Sequence, residues 1–205
     1  WIDLLGGLLF LLPMAGLRVS IIVALVVAAA GAAVAGWQFL HDYQRHRILM
    51  LLDPSQDALG KGYHTIQGMI AVGSGGILGK GYMNGTQTHL DFLPERTTDF
   101  VFAVYSEEFG LLGNLILLGL YSLVIGRGFI ITANASTYFT RLMSGSITLT
   151  FATYAFVNMG MVSGILPVVG VPLPLVSDGG TALVTLFIGI GILLSIHGNR
   201  MLVQK

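Results

Sequence analysis

The uncharged stretches of this 205-residue chain decide most of what it can fold into. Residues 142–166 run for 25 positions, and 19–40 for 22, without a single Asp, Glu, Lys or Arg. A helix needs about 20 largely apolar residues to cross a hydrocarbon core of roughly 30 Å, so both stretches qualify as spans. Two further runs of 18, at 109–126 and 179–196, lead to Arg127 and to His197-Gly198-Asn199-Arg200, where a span would meet water. The opening stretch, 4–17, has 14 residues and carries Pro13, and reads as a fifth, partial span. Composition agrees: 10% of residues are charged, where about 25% is usual for a soluble domain, and mean hydropathy is +0.81. Ten Lys+Arg balance ten Asp+Glu, which excludes the basic surface of a nucleic-acid binder, and the absence of Cys excludes disulfides and thiolate chemistry. The expectation is an all-α, polytopic integral membrane protein of about five transmembrane helices in one membrane domain, 1–205. Opening on Trp1-Ile2-Asp3, with no initiator Met and no basic leader, it reads as the interior start of a longer protein.

Charge placement sets an orientation. Alternating spans put Arg18, Arg127, Arg141, Arg200 and Lys205 on one side, and Arg45, Arg47, Lys61, Lys80 and Arg96 on the other. The tie is broken by the short links, because the positive-inside bias is weak for a loop of 58 residues such as 41–98. Arg127 and Arg141 face no Lys or Arg in 167–178, so the C-terminus is expected in the cytoplasm and the long loop outside.

Within 41–98 the punctuation is dense: Asp53-Pro54, Gly60, Gly62, Gly73-Ser74-Gly75-Gly76, Gly79-Lys80-Gly81 and Asn84-Gly85. Such spacing predicts turns rather than long helices, with the interleaved apolar pieces 48–52 and 69–72 folded onto the membrane surface or into the bundle. The stretch 167–177 has three prolines in eight residues, which forbid a regular helix although its side chains are apolar. It reads as a re-entrant lid. The Gly-Lys-Gly run is no Walker loop, because Ser74 stands five before Gly79 and Gly81 follows Lys80. The five histidines, at 41, 46, 64, 89 and 197, lack the spacing of a metal-binding helix, and no metal site is expected among them.

The strongest constellation is Phe92-Leu-Pro-Glu95-Arg96-Thr97-Thr98-Asp99-Phe100, followed by Glu107-Glu108. It suits a helix start, with Pro94 ahead, Thr98 or Asp99 as the cap, and both acids at the outer lip of the next span. It also suits chemistry on an amphiphile. Asp99 is placed to take a proton from an incoming hydroxyl, while Arg96, Lys80 or a divalent cation, Mg or Mn, neutralises a leaving pyrophosphate. The two readings are compatible, since a helix N-terminus favours a carboxylate.

Several phrases then form a pattern in order: His41-Asp-Tyr-Gln-Arg45, Leu52-Asp-Pro54, Gly73-Ser-Gly-Gly76, Gly79-Lys-Gly81, Phe92-Leu-Pro-Glu-Arg96, Thr98-Asp-Phe100, and Val157-Asn-Met-Gly160 through Pro167 to Ser177 and Gly179-Gly180. The chain resembles the SEDS family (shape, elongation, division and sporulation) over nearly its whole length. Val162-Ser-Gly-Ile-Leu-Pro-Val-Val-Gly170 is similar to the elongation branch rather than the division branch. The resemblance implies a multi-pass enzyme of the bacterial inner membrane that polymerises lipid II into peptidoglycan during wall elongation and rod-shape maintenance. Undecaprenyl pyrophosphate would be released, and a class B penicillin-binding protein and the elongation machinery would be partners. It implies Asp99 as the catalytic base, with Arg96, Lys80, Glu108, Glu95 and Ser177 as substrate-binding residues. Family members have ten spans, so this chain matches the C-terminal half. It departs from the pattern at Thr97, where His is usual, and at Asp178, where Tyr is usual.

Two other readings compete. Broken helices with an acid at a cavity mouth also suit a transporter or flippase for the lipid-linked precursor. A scaffold that positions a partner's span would need no turnover at all. Inside the spans, Gly160-Met-Val-Ser-Gly164 reads as a small-residue helix seam, Gly110, Gly113 and Gly119 as points of close approach, and Asn114 and Asn158 as bridges between helices.

Overall fold

A computed structural model describes residues 19–36, 61–86 and 97–199. They form five helices: α1 (Val19–Gly36), α2 (Lys61–Ser74), α3 (Val101–Ala133), α4 (Tyr138–Val162) and α5 (Gly180–Asn199). No strand occurs among the described residues. The chain divides into two compact units, one drawn from Trp1–Leu40, Ser122–Thr153 and Val184–Lys205, the other from His41–Tyr121 and Tyr154–Leu183. The expected partial span at 4–17, and the loop parts 41–60 and 87–96, lie outside the described residues.

The helices expose what a soluble protein hides. In α1, Val23 and Val27 are 55% and 65% exposed; in α3, Leu111, Leu115, Ile116 and Leu123 are exposed; in α5, Val184, Phe187 and Leu194 are exposed. Val101–Ala133 and Gly180–Gly198 are long and apolar enough to cross a membrane, and the most apolar window of the latter has no buried residue. An apolar helix with its side chains turned outward needs hydrocarbon rather than water around it.

At 33 residues, α3 would be about 50 Å long as one rod, well beyond the hydrocarbon core. It is not one rod. Gly110, at φ 63° and ψ −158°, interrupts it, and residues 111–133 beyond the break give about 35 Å, a membrane's thickness with some tilt. The span therefore starts near the expected position 109 but runs past Arg127 to Ala133.

Helix α4 begins four residues earlier than the uncharged run suggests and ends four earlier, for reasons written at its two ends. At the start, Thr137 Oγ1 accepts the Thr140 N–H at 3.2 Å and Thr140 Oγ1 accepts the Thr137 N–H at 3.2 Å, a reciprocal cap. At the end, Ile165 N–H donates to Gly160 O at 2.9 Å and Gly164 N–H to Met161 O at 3.2 Å, with Gly164 left-handed at φ 74°. That is a Schellman ending. Gly160 and Gly164 thus form a helix terminus rather than the expected seam: Leu166 folds back onto Gly160, and Met69 covers Gly164.

The turns expected throughout 41–98 give way in one place to a helix, α2, despite Gly62, Gly68 and Gly73 within it. Packing overrides propensity here. A methyl group on Gly68 would lie 3.3 Å from the Phe100 ring and 3.6 Å from Val162 O, so the glycine lets α2 pack closely against both. The proline-rich segment carries no helix from Ser163 to Gly179, as its prolines require. Tyr121 Oη donates to Pro174 O at 2.7 Å, pinning the segment to α3.

Candidate active site

Residues 97–100 form a turn that delivers the chain into α3 at Val101. The helix start inferred from Pro94, Thr98 and Asp99 is therefore present. What fixes the turn is a strap of three donors on three successive carbonyls. Asp178 N–H donates to Thr97 O at 2.9 Å, Ser177 Oγ to Thr98 O at 2.6 Å, and Asn158 Nδ2 to Asp99 O at 2.9 Å. The donors have their own supports. Ser177 Oγ also accepts the Leu173 N–H at 2.8 Å, closing the turn after Pro172, and Asn158 Nδ2 reaches Val171 O at 2.7 Å. The sequence assigned Ser177 to substrate; in the structure its buried hydroxyl makes these two main-chain bonds.

Asp99 itself is partly exposed, and its carboxylate rests against a glycine: a Cβ on Gly170 would be 3.0 Å from Asp99 Oδ2. Gly170 is also left-handed, at φ 78°, so both its backbone and its bare Cα suit this position. The two departures from the family pattern meet at the strap, Thr97 through its carbonyl and Asp178 through its N–H. Only main-chain atoms join them and both residues are exposed, so the link forms with either side-chain pair.

A second polar assembly closes the break in α3. The break leaves main-chain groups without helical partners, and the glycine-rich turn after α2 supplies them. Lys80 N–H donates to Glu107 O and Gly81 N–H to Glu108 O, both at 3.0 Å, while Leu111 N–H donates to Gly76 O at 2.9 Å and Leu112 N–H to Ile77 O at 3.1 Å. At membrane depth an unpaired N–H or C=O is expensive, so these four bonds are what permit the break. The approach is so close that a Cβ on Gly75 would collide with Ser106 O, and one on Gly79 with Glu108 O.

Inside this joint lies a buried ion pair. Glu107 is 0% exposed, and its Oε1 accepts from Lys80 Nζ at 2.6 Å, Thr86 N–H at 2.9 Å and Thr86 Oγ1 at 2.9 Å. Lys80 Nζ also donates to Thr86 Oγ1 at 2.9 Å. The partners of Lys80, assigned from sequence to substrate, are therefore Glu107 and Thr86. Glu108, also assigned to substrate, is 8% exposed, and its carboxylate has no hydrogen-bond or ion-pair partner among the described residues. Arg96 and Glu95 lie outside the described residues.

Sequence reasoning left Glu107 as a lip residue and Asn158 as a bridge between helices. Asn158 is a bridge, but from α4 to two non-helical segments. Asn114 stays within α3, its Oδ1 lying 3.0 Å from Ser106 Oγ across the break. Among the described residues no three His, Asp or Glu side chains converge on a point where a metal ion would sit.

A family model described as a cell cycle protein, that of FtsW, RodA and SpoVE, matches residues 2–202. Over 198 residues the chain is 57% identical to the peptidoglycan glycosyltransferase MrdB of Escherichia coli K12, a match that covers 96% of this chain and 54% of MrdB. It is 40% identical over 177 residues to the peptidoglycan glycosyltransferase RodA of Treponema pallidum, covering 86% of this chain and 41% of that protein. Among solved structures it is similar to a chain of a peptidoglycan synthase complex that coordinates polymerization and crosslinking, with a TM-score of 0.79 and 31% identity over all of this chain and 56% of that one. The chain spans about half the length of the curated relatives it matches.

Proposed function

The chain belongs to the FtsW, RodA and SpoVE family, and on that premise we propose that it carries the catalytic base of a peptidoglycan glycosyltransferase that polymerises lipid II. The reading rests on one observation above the rest. Asp99 stands in a turn whose three carbonyls are strapped, with its carboxylate set against the bare Cα of Gly170. A base must be held still relative to the hydroxyl it serves, and restraint of the main chain on either side of it contributes to this.

In the proposed reaction the acceptor sugar's 4-hydroxyl attacks the anomeric carbon of the growing, lipid-linked glycan. The new C–O bond forms with inversion, the bond from the anomeric carbon to pyrophosphate oxygen breaks, and the hydroxyl proton passes to Asp99. Undecaprenyl pyrophosphate leaves with the electron pair. Arg96 and Glu95, close in sequence to the base, belong to the proposed substrate set, as does Glu108. Lys80 serves through Glu107, by holding the joint in α3. A divalent cation would help to neutralise the leaving pyrophosphate, although no three His, Asp or Glu side chains among the described residues converge to hold one. The partner would be a class B penicillin-binding protein that crosslinks the product. The setting would be the bacterial inner membrane, with the elongation machinery around it, Asp99 facing outward and the C-terminus in the cytoplasm.

The test is polymerisation of labelled lipid II by the full-length protein in detergent or vesicles. Asp99→Asn should lower the rate by about 10² to 10⁴, the usual worth of a general base. Wild-type strand synthesis by that variant would overturn the assignment. Leaflet exchange of lipid II without strands from the unaltered protein would favour a transporter instead.

A further inference from the structure

Asn158 does more in this structure than its place inside helix α4 requires. It is fully buried, and its Nδ2 donates both to Asp99 O at 2.9 Å and to Val171 O at 2.7 Å. Its Oδ1 is buried with no hydrogen-bond partner among the described residues. Two carbonyl acceptors on one NH2 group fix which way the amide points, because turning it over would set oxygen against two oxygens. The side chain thus accepts an orphaned carbonyl in order to present two N–H donors.

The two acceptors are informative. One belongs to Asp99 and the other to the residue after Gly170, where an added Cβ would lie 3.0 Å from Asp99 Oδ2. A single amide on a regular turn of α4 therefore sets both sides of that contact: the base through Asp99 O, and the wall behind it through Val171 O. The other two bonds of the strap, from Ser177 and Asp178, hold Thr98 and Thr97 and reach the wall only through the proline-rich segment.

We propose that Asn158 is the positioning residue for Asp99, fixing the separation between the catalytic carboxylate and the Gly170 wall. This rests on the reading of Asp99 as general base and deepens it. Asn158 exchanges no proton with substrate. Its effect is on where the carboxylate stands when the acceptor hydroxyl arrives, and a displacement of about 1 Å at such a position lowers turnover by roughly a hundredfold.

The experiment compares Asn158→Asp, Asn158→Leu and Asp99→Asn with the unaltered full-length protein. Thermal unfolding, folded fraction, and kcat and KM for lipid II polymerisation are measured for each. Asn158→Asp replaces the two-donor group with an acceptor facing the same carbonyls, and Asn158→Leu removes the donors at similar volume. Both should lower kcat per folded molecule by about 10- to 100-fold with KM changed by less than about threefold. Asn114→Leu, which deletes another amide of the same unit far along α3 from Asp99, should keep kcat per folded molecule near wild type even where it unfolds earlier. If the Asn158 variants lose folded fraction but keep wild-type kcat per folded molecule, Asn158 is merely structural and the proposal falls. Should they yield no folded protein, Gly170→Ala decides, since its methyl would press on Asp99 Oδ2 from the other side. A fall in kcat at constant KM supports the proposal, and unchanged kcat overturns it. An active Asp99→Asn would instead remove the general-base reading, whereas an inactive Asp99→Asn beside fully active Asn158 variants removes the positioning role alone.

Discussion

Two carboxylates eight residues apart, Asp99 and Glu107, are held in opposite ways. Glu107 is sealed from solvent, and one of its oxygens takes an ammonium, a main-chain N–H and two hydroxyls, of Thr86 and Ser74. Asp99 stays partly exposed, and neutral donors hold the main chain around it. The difference teaches which acid is built for what. A buried, fully paired carboxylate has no room to exchange a proton and serves as a fastener. A partly exposed carboxylate on a turn strapped through its main chain stays within reach of a substrate, as the proposed base must. The same contrast separates the glycines nearby: Gly75, Gly79 and Gly110 let two backbones meet at the fastener, while Gly170 makes room for a side-chain oxygen at the base.

That contrast is open to attack, most forcefully through turnover. Asp99→Asn should reduce lipid II polymerisation by about 10² to 10⁴ while leaving the unfolding temperature of the full-length protein nearly unchanged. If stability falls and activity does not, the roles of the two acids have been exchanged. Next in size is Lys80→Met, which leaves the buried Glu107 without its ammonium and should cost about 3 kcal/mol, near the low end for such pairs because Lys80 is 29% exposed. Combining it with Glu107→Leu should restore most of the loss, as apolar replacement of a buried pair often does. Denaturant or thermal unfolding would show this, and a double variant as unstable as Lys80→Met alone would refute the pairing.

A smaller effect is expected at the break itself. Gly110→Ala places a side chain at φ 63° against Gly79 N and should destabilise by about 2 kcal/mol, visible as a lowered unfolding midpoint. The smallest is Thr137→Ala, which removes half of the reciprocal cap of α4 and should cost about 1 kcal/mol. It belongs to neither carboxylate, so a loss of turnover per folded molecule in this variant would mean that turnover depends on more than the two carboxylate sites.

Parts of this arrangement were readable from the chain. The run after Glu108 announced a span and the structure supplies one, because hydrocarbon imposes a minimum length and tolerates few charges whatever the tertiary contacts. A helix start close after Thr98 and Asp99 was legible, and the structure begins α3 at Val101. The four-residue spacing of Gly160 and Gly164 was not decisive, as it fits both a helix seam and a Schellman ending; only the fold-back of Leu166 onto Gly160 chooses. Helix α2 was hidden for a similar reason. Its glycines read as turns until Phe100 and the end of α4 are brought against them.

What the sequence determined alone is the membrane and the rough register of the described helices. These follow from solvent and from neighbours within a few positions along the chain. The partners were decided only in three dimensions: Lys80 with Glu107 across 27 residues, Ser177 with Thr98 across 79, and Asn158 with Asp99 across 59. A hydrogen bond depends on the last ångström of separation, and no spacing in a linear code specifies that until packing has closed the loops between.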